Sequence, residues 1–415
     1  MNTYDVTVIG AGPGGLAAAI AAHKSGAKVL LIEREARTGG ILKQCIHDGF
    51  GLIRFGEKLS GPEYAERYSD EAESLNVETK LLTFVTKINR EQNGFTIKFV
   101  NTDGVGSVFT KTIVLATGCR ERTAKQVSIH GTRPSGVFTA GTAQAMMNLN
   151  GQRVANRCVI LGSGDIGLIM ARRLTLEGSK VLGVYEVKST PSGLTRNIHQ
   201  CLHDFDIPLY LSRTVTRCFG DDRLTGVEVA DVDEKMNIIP GTEEKIDCDT
   251  LILSVGLIPE NELAEQLGVE INPRTKGPIT DERLMTSVPG VFSCGNALHV
   301  NDLVDYVSES GVTAGENAAA YTFKPNETVS LNPGDGIAYV VPSLVTKGCN
   351  EKITVYFRSR DVLKNATVSV KSGDREVFSK KYMVVRPPEM EKITLDLSEF
   401  PANRDLEISL TGVKE

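Results

Sequence analysis

The stretch Tyr4-Asp-Val-Thr-Val-Ile-Gly10-Ala-Gly12-Pro-Gly14-Gly15 decides the fold. Its apolar start reads as a buried strand, and the glycine-rich turn opens a helix of small residues from Leu16 to Ser25. Glycines at Gly10, Gly12 and Gly15 allow a tight turn, close approach of backbone to a pyrophosphate, and packing of helix on strand. The helix N-terminus then offers N–H groups to the anion. A second strand, Lys28-Val-Leu-Leu-Ile-Glu33, ends in an acid at the spacing needed to accept hydrogen bonds from ribose hydroxyls. The pattern predicts a βαβ dinucleotide-binding unit.

The phrase recurs as Arg157-Cys-Val-Ile-Leu-Gly162-Ser-Gly164-Asp165-Ile166-Gly167, again between a strand-like run and a helical stretch. The repeat extends beyond the turn, because Thr112-Ile-Val-Leu-Ala116-Thr117-Gly118 has a counterpart in Thr250-Leu-Ile-Leu-Ser-Val-Gly256. One irregularity separates the copies. Aligning Gly167 with Gly15 sets Tyr185, not an acid, opposite Glu33, and Glu186 follows one residue later. Glu186 would still reach a ribose 2′-hydroxyl and repel a 2′-phosphate, which favours NAD(H) over NADP(H), although Lys188 leaves NADP open.

The order of these segments implies nesting. An α/β architecture is expected, with two nested Rossmann-like dinucleotide-binding domains and a C-terminal all-β, sandwich-like domain. The first domain takes residues 1–122 and 286–323, the second 123–285, and the β domain 324–415. The last boundary rests on the shift at Lys324-Pro-Asn-Glu to alternating runs such as Ile353-Thr-Val-Tyr-Phe357 and Leu406-Glu-Ile-Ser-Leu410. The preceding helical stretch, Asp302 to Phe323, carries Gly311 and Gly315, which imply close approach to a neighbour.

A length of 415 residues predicts two or three domains. With 41% hydrophobic and 24% charged residues, the composition is that of a soluble globular protein. A net charge of -6 without a basic tract argues against nucleic acid as a partner. No apolar run is long enough for a transmembrane segment, and the N-terminus runs straight into a strand without a signal-like region. The eight cysteines fall in no C-x-x-C or zinc-like spacing, so no metal site and a cytoplasmic location are expected.

Together, Gly10-Ala-Gly-Pro-Gly-Gly15, Glu33, Ala116-Thr-Gly118, the second glycine phrase and Gly290-Val-Phe-Ser-Cys-Gly295-Asn296 resemble the pyridine nucleotide-disulfide oxidoreductase superfamily over residues 1 to about 323. The resemblance implies FAD in the first domain, NAD(P)H in the second, and hydride passing from nicotinamide to flavin. The FAD site would comprise Gly10, Gly12, Gly14, Gly15, Glu33, Arg34, Gly40, Ala116, Thr117, Gly118, Gly295 and Asn296. The NAD(P) site would comprise Gly162, Gly164, Asp165, Ile166, Gly167, Glu186 and Gly256. A helix beginning near Asp302 would aim its positive end at the flavin.

Two departures limit this transfer. The family's usual Gly-Asp is Gly295-Asn296 here, and the paired redox cysteines are missing, since Cys45 and Cys158 each stand alone in the regions concerned. The chain therefore looks closer to the flavoprotein subunits of hydrogen cyanide synthase, opine oxidase, dye-linked proline dehydrogenase and sarcosine oxidase, and to glycerol-3-phosphate dehydrogenase-associated flavoproteins. The segments Ala116-Thr-Gly-Cys-Arg-Glu-Arg122 and Gly136-Val-Phe-Thr-Ala-Gly-Thr-Ala-Gln-Ala145 carry this closer likeness. It implies an electron-transfer subunit whose partner, a second dehydrogenase or flavoprotein subunit, docks through the β domain and oxidises a hydroxy acid, a glycerol-3-phosphate-like substrate or an amine. A free-standing NADH oxidase or quinone reductase, and a structural flavoprotein with an idle nicotinamide site, are the alternatives.

Cys45 and His47 are the catalytic candidates, as a thiolate–imidazole pair near the flavin; a buried cysteine beside a surface histidine is the plainer alternative. His299 is a candidate for proton delivery. His199 and His203 could share a metal, but two ligands without a third fit a solvated helix face better.

Overall fold

The computed structural model describes residues 2–322 and 327–414. The expected boundary at 323/324 lies outside the described residues. By internal contacts the chain divides into two compact units, Met1–Cys119 with Pro259–Glu415, and Arg120–Ile258.

The first unit opens with β1 (Thr3–Ile9), α1 (Pro13–Lys24) and β2 (Val29–Ile32). All four residues of β2 are buried, as a strand covered on both faces requires. Pro13 sits in the first turn of α1, where its missing N–H costs nothing, and Leu16 to Ala22 are buried against the sheet. Then come β3 (Glu78–Lys80) and the hairpin-linked β4 (Phe84–Glu91), β5 (Gly94–Asn101) and β6 (Gly104–Leu115). The early half of β6 pairs antiparallel with β5, whereas its end pairs parallel with β1.

The second unit repeats the frame. Its parallel sheet holds β7 (Val137–Thr139), β8 (Arg157–Leu161), β9 (Lys180–Glu186), β10 (Leu209–Leu211) and β11 (Thr250–Leu253), in the spatial order β7-β11-β8-β9-β10. Helix α2 (Asp165–Leu176) follows β8 as α1 follows β1.

The chain returns to the first unit at Pro259, earlier than the expected 286. The cause is packing: Ala264 and Val269 belong to the core formed by Ile9, Leu30, Ile97 and Leu115. Strand β12 (Val291–Ser293) then adds in parallel beside β6, and α3 (Val304–Ala320) lies along α1. A Cβ at Gly311 would stand 2.2 Å from the Gly14 carbonyl oxygen, and one at Gly315 2.1 Å from that of Ala18. The neighbour that these glycines accommodate is α1.

The C-terminal region is a sandwich of β13 (Thr328–Pro333), β14 (Ile337–Val341), β15 (Leu344–Thr346), β16 (Lys352–Ser359), β17 (Leu363–Ser372), β18 (Arg375–Val385), β19 (Met390–Asp396) and β20 (Leu406–Lys414). One sheet runs β15-β13-β20-β17-β18 and the other β14-β16-β19. Ile353, Val355 and Phe357 from the smaller sheet share a core with Val368, Val370, Ile408 and Leu410 from the larger. The outward residues of the smaller sheet, among them Tyr339, Tyr356 and Arg358, meet α3 and the loop before it.

Candidate functional site

In each unit the glycine turn stands at the carboxyl end of the central parallel strands, where open α/β sheets bind ligands. Ile9 and Ser293 flank Leu115 in one row, so Gly10, Ala116 and Cys294 leave the sheet together. Leu161 and Thr139 flank Leu253 in the same way in the second unit.

Of the seven glycines in the two phrases, six divide into matching roles. A Cβ at Gly10 would fall 2.3 Å from the Ala116 carbonyl oxygen, and at Gly162 2.0 Å from that of Ser254. At Gly15 it would meet the Gly10 oxygen at 1.8 Å, and at Gly167 the Gly162 oxygen at 2.6 Å. These four glycines serve the turn itself. The middle ones do not: beside Gly12 the nearest atom is Gly40 Cα at 4.0 Å, and beside Gly164 it is Ser254 Oγ at 3.7 Å. An open surface at the middle glycine, which is itself the N-cap of the helix and has no side chain to occupy the helix's first N–H groups, is the form that a pyrophosphate fits.

The acids match as well. Buried Glu33 accepts the Ala11 N–H at 2.7 Å through one oxygen and the Glu35 N–H at 2.9 Å through the other. Buried Glu186 accepts the Ser163 N–H at 3.1 Å and the Lys188 N–H at 3.1 Å. Glu186 therefore holds the place in the second unit that Glu33 holds in the first. The sequence alignment that put Tyr185 there is corrected by a bulge: Cys158 pairs with Val181 but Val159 with Gly183, leaving Leu182 as an extra residue in β9. Tyr185 is buried instead, stacked on Tyr210 with ring centroids 4.7 Å apart.

The remaining candidates surround these turns. Gly40 backs onto Gly12, its Cβ position 2.9 Å from Gly12 Cα, and Gly14 faces Val307 of α3 and Cys294. Arg34 donates to Glu260 at 3.0 Å, whose backbone N–H in turn donates to the Gly118 carbonyl and whose carbonyl accepts from Thr117 Oγ1. Gly118 and Gly256 both take positive φ, +72° and +99°. Gly295 donates its N–H to Ser310 Oγ at 2.9 Å, and Asn296 joins Cys119 to Asn301. In the second unit Asp165 accepts from Leu194 N–H and Asn197 Nδ2, tying down the loop after β9, and Ile166 packs against the core. Ser163 had no signal in the sequence, yet its hydroxyl donates to Glu186 at 2.5 Å and accepts the Ser192 N–H at 2.9 Å.

Burial pushes the Cys45 thiol up to about 12, so it rests as a neutral thiol, and it donates to the Ile41 carbonyl. His47 has its Nδ1 on the Asp48 carbonyl and its ring against Phe50. His299 is buried, and burial, with the nearby Arg358 charge, lowers it to about 3. His199 and His203 stand with their Nδ1 atoms 3.0 Å apart, and no group of three metal-ligating side chains occurs among the described residues. Cys294 is fully buried with its thiol raised to about 12, and the cysteines are free thiols.

Residues 4–319 match the pyridine nucleotide-disulphide oxidoreductase family. The chain belongs to that family. It is 29% identical over 338 residues to dihydrolipoyl dehydrogenase of Acholeplasma laidlawii, covering 75% of this chain and 95% of the relative. An opine oxidase subunit of Agrobacterium tumefaciens is 26% identical over 314 residues, covering 71% of this chain and 61% of the relative; the match thus spans about three fifths of that protein. Over 77% of this chain and 99% of the other, the fold is similar to that of T. acidophilum thioredoxin reductase, with a TM-score of 0.62 at 23% identity. As a member of this family the chain is an FAD-dependent NAD(P)H oxidoreductase. Among the described residues no helix is long and apolar enough to cross a membrane.

Proposed function

We propose that this chain moves reducing equivalents between NADH and FAD as the electron-transfer subunit of a multi-subunit dehydrogenase. The partner subunit would oxidise a small hydroxy acid, a glycerol-3-phosphate-like compound or an amine. The carrying observation is the contact-for-contact match of the second glycine turn to the first, with Glu186 and Ser163 in the places of Glu33 and Ala11. A nucleotide site kept only as scaffold has no need of an open Gly164 and a buried, hydrogen-bonded acid together.

Bound FAD supplies two-electron redox chemistry. The protein's part is to bind, orient and shield it. Gly12 would face the pyrophosphate from a turn that Gly10, Gly14, Gly15 and Gly40 shape, Glu33 would hold the adenosine ribose, and Arg34, Ala116, Thr117, Gly118, Gly295 and Asn296 the remainder. Gly162, Gly164, Asp165, Ile166, Gly167, Glu186 and Gly256 would hold the nicotinamide dinucleotide. A carboxylate at Glu186 accepts from a 2′-hydroxyl and repels a 2′-phosphate, which selects NADH. The likeness to an opine oxidase subunit supports the role of one component among several.

Anaerobic titration of the purified flavoprotein with NADH and NADPH tests this. Bleaching of the visible flavin band by NADH, with little turnover on oxygen or quinones, supports an electron-transfer subunit. Rapid turnover on either acceptor replaces it with a free-standing oxidase or reductase. A flavin that neither nucleotide reduces removes both.

A further inference from the structure

We infer that the C-terminal sandwich fixes the hydrogen-bond polarity that Asn296 offers to the flavin, with Asp302 and Arg358 as positioning residues. The inference rests on FAD lying along the carboxyl ends of β1, β6 and β12, beside the Gly295-Asn296 turn.

Asn296 has both its lone pairs engaged. Its Oδ1 accepts the Asn301 backbone N–H at 3.0 Å and Asn301 Nδ2 at 3.3 Å. A backbone N–H can only donate, so the atom facing it must be the carbonyl oxygen, and the orientation of the amide follows. Nδ2 then donates one hydrogen to Cys119 Sγ at 3.6 Å. One N–H remains. An aspartate at this position could only accept; Asn296, so held, can only donate.

The hold comes from the sandwich. Asn301 is followed by Asp302, which accepts the Met390 N–H at 2.6 Å through one oxygen and pairs with Arg358 through the other. Both side chains are withdrawn from solvent, with 16% of Arg358 and 25% of Asp302 exposed. Arg358 is itself fixed, donating to Tyr339 Oη at 2.8 Å and to the carbonyls of Pro387 and Pro388. On the other side of Asn301, buried His299 packs against the rings of Tyr339 and Tyr356. Lower on α3, Glu309 accepts from Tyr356 Oη at 3.0 Å and from Lys392. The loop from 296 to 303 is thus fastened to β14, β16 and β19 on both sides of Asn301.

Release of Asp302 lets Asn301 move, opens the Asn296 carbonyl and allows its amide to turn. A donor at the flavin stabilises the electron-rich reduced form more than the oxidised form, so its loss lowers the midpoint potential. The test is an equilibrium redox titration of the full-length, FAD-loaded protein against reference dyes, with the visible spectrum recorded throughout. Asn296→Ala, which removes the donor, and Arg358→Met should each weaken the preference for reduced flavin by about tenfold, or about 30 mV for two electrons. The double variant should shift no further, because both act through one amide. Arg358→Lys should recover part of the shift. If Arg358→Met does not fold, Asp302→Asn, which keeps shape and one acceptor, takes its place.

A potential in Asn296→Ala that is unchanged or raised overturns the polarity assignment. A lowered potential in Asn296→Ala with no shift in Arg358→Met or Asp302→Asn overturns the role of the sandwich. A wild-type chain that takes up no FAD would instead remove the cofactor assignment itself.

Discussion

Within each glycine turn, a methyl group added at one position would strike backbone and at another would meet open space. That contrast separates folding from binding. Gly12→Ala has no neighbour nearer than 4.0 Å and starts from an ordinary φ of -72°. It should leave the melting temperature of the apoprotein unchanged while sharply reducing the FAD that stays bound through gel filtration. Gly164→Ala should keep FAD but raise the KM for NADH about tenfold, since only approach of the pyrophosphate is blocked. Gly10→Ala, with φ of +102° and a carbonyl oxygen 2.3 Å from the new atom, should fail to fold. Equal melting losses in Gly10→Ala and Gly12→Ala would contradict the division of roles. Glu186→Gln should lower the preference for NADH over NADPH by about tenfold in kcat/KM, roughly 1.4 kcal/mol, because the neutral amide no longer repels a 2′-phosphate. Glu33 was legible from spacing alone because β1 and β2 pair without a shift. Glu186 was displaced by one because a single unpaired residue, Leu182, leaves no mark in composition.

At the scale of elements, the closest packing is between α1 and α3. Gly311 and Gly315 announce it in the sequence, since glycine inside a helix is otherwise unfavourable. Two effects compete at Gly315→Ala: helix propensity favours alanine by about 1 kcal/mol, whereas overpacking against a fixed backbone costs about 1–3 kcal/mol. With the Ala18 carbonyl oxygen 2.1 Å from the new atom, overpacking should win. The variant should melt lower, and its FAD should dissociate faster because α1 carries the glycine turn. A higher melting temperature would show that the two helices part at little cost. The sandwich strands were equally legible from their alternation. What alternation could not reveal was that the outward face of β16 is covered too, for Tyr356 and Arg358 look like surface residues until Glu309 and Asp302, distant in sequence, are brought to them. Likewise, Ala264 and Val269 carry no label of the core they join, which is why the return to the first unit falls at Pro259.

Over the whole molecule, two buried titratable groups sit where the sandwich meets the flavin fold, and they oppose each other in their response to pH. Asp281 lies in the loop whose Thr280 carbonyl accepts the Ser343 and Leu344 N–H groups, and whose Glu282 accepts that of Thr346. Burial, reinforced by the Glu282 charge, raises the Asp281 carboxyl to about 7. An unfolded aspartate titrates near ~3.9, so between these values the folded chain holds a proton that the unfolded chain has lost. The stability this contributes is present in acid and lost as pH rises towards 7. His299 behaves in the opposite sense. Its folded value of about 3 lies below the ~6.5 of an unfolded histidine, so its contribution is complete above that value and lost as pH falls. Each slope is at most about 1.4 kcal/mol per pH unit, and the two largely cancel between about pH 4 and 6.5. Removing one should expose the other. Asp281→Asn should unfold at higher urea than wild type at pH 8, with the gain vanishing by pH 4. His299→Leu should lose the acid-side decline, so that its stability falls with rising pH where wild type is nearly flat. Urea midpoints at pH 4.5, 6 and 8 decide this: curves parallel to wild type in both variants would mean that neither group is held in its buried state by the contact between sandwich and flavin fold.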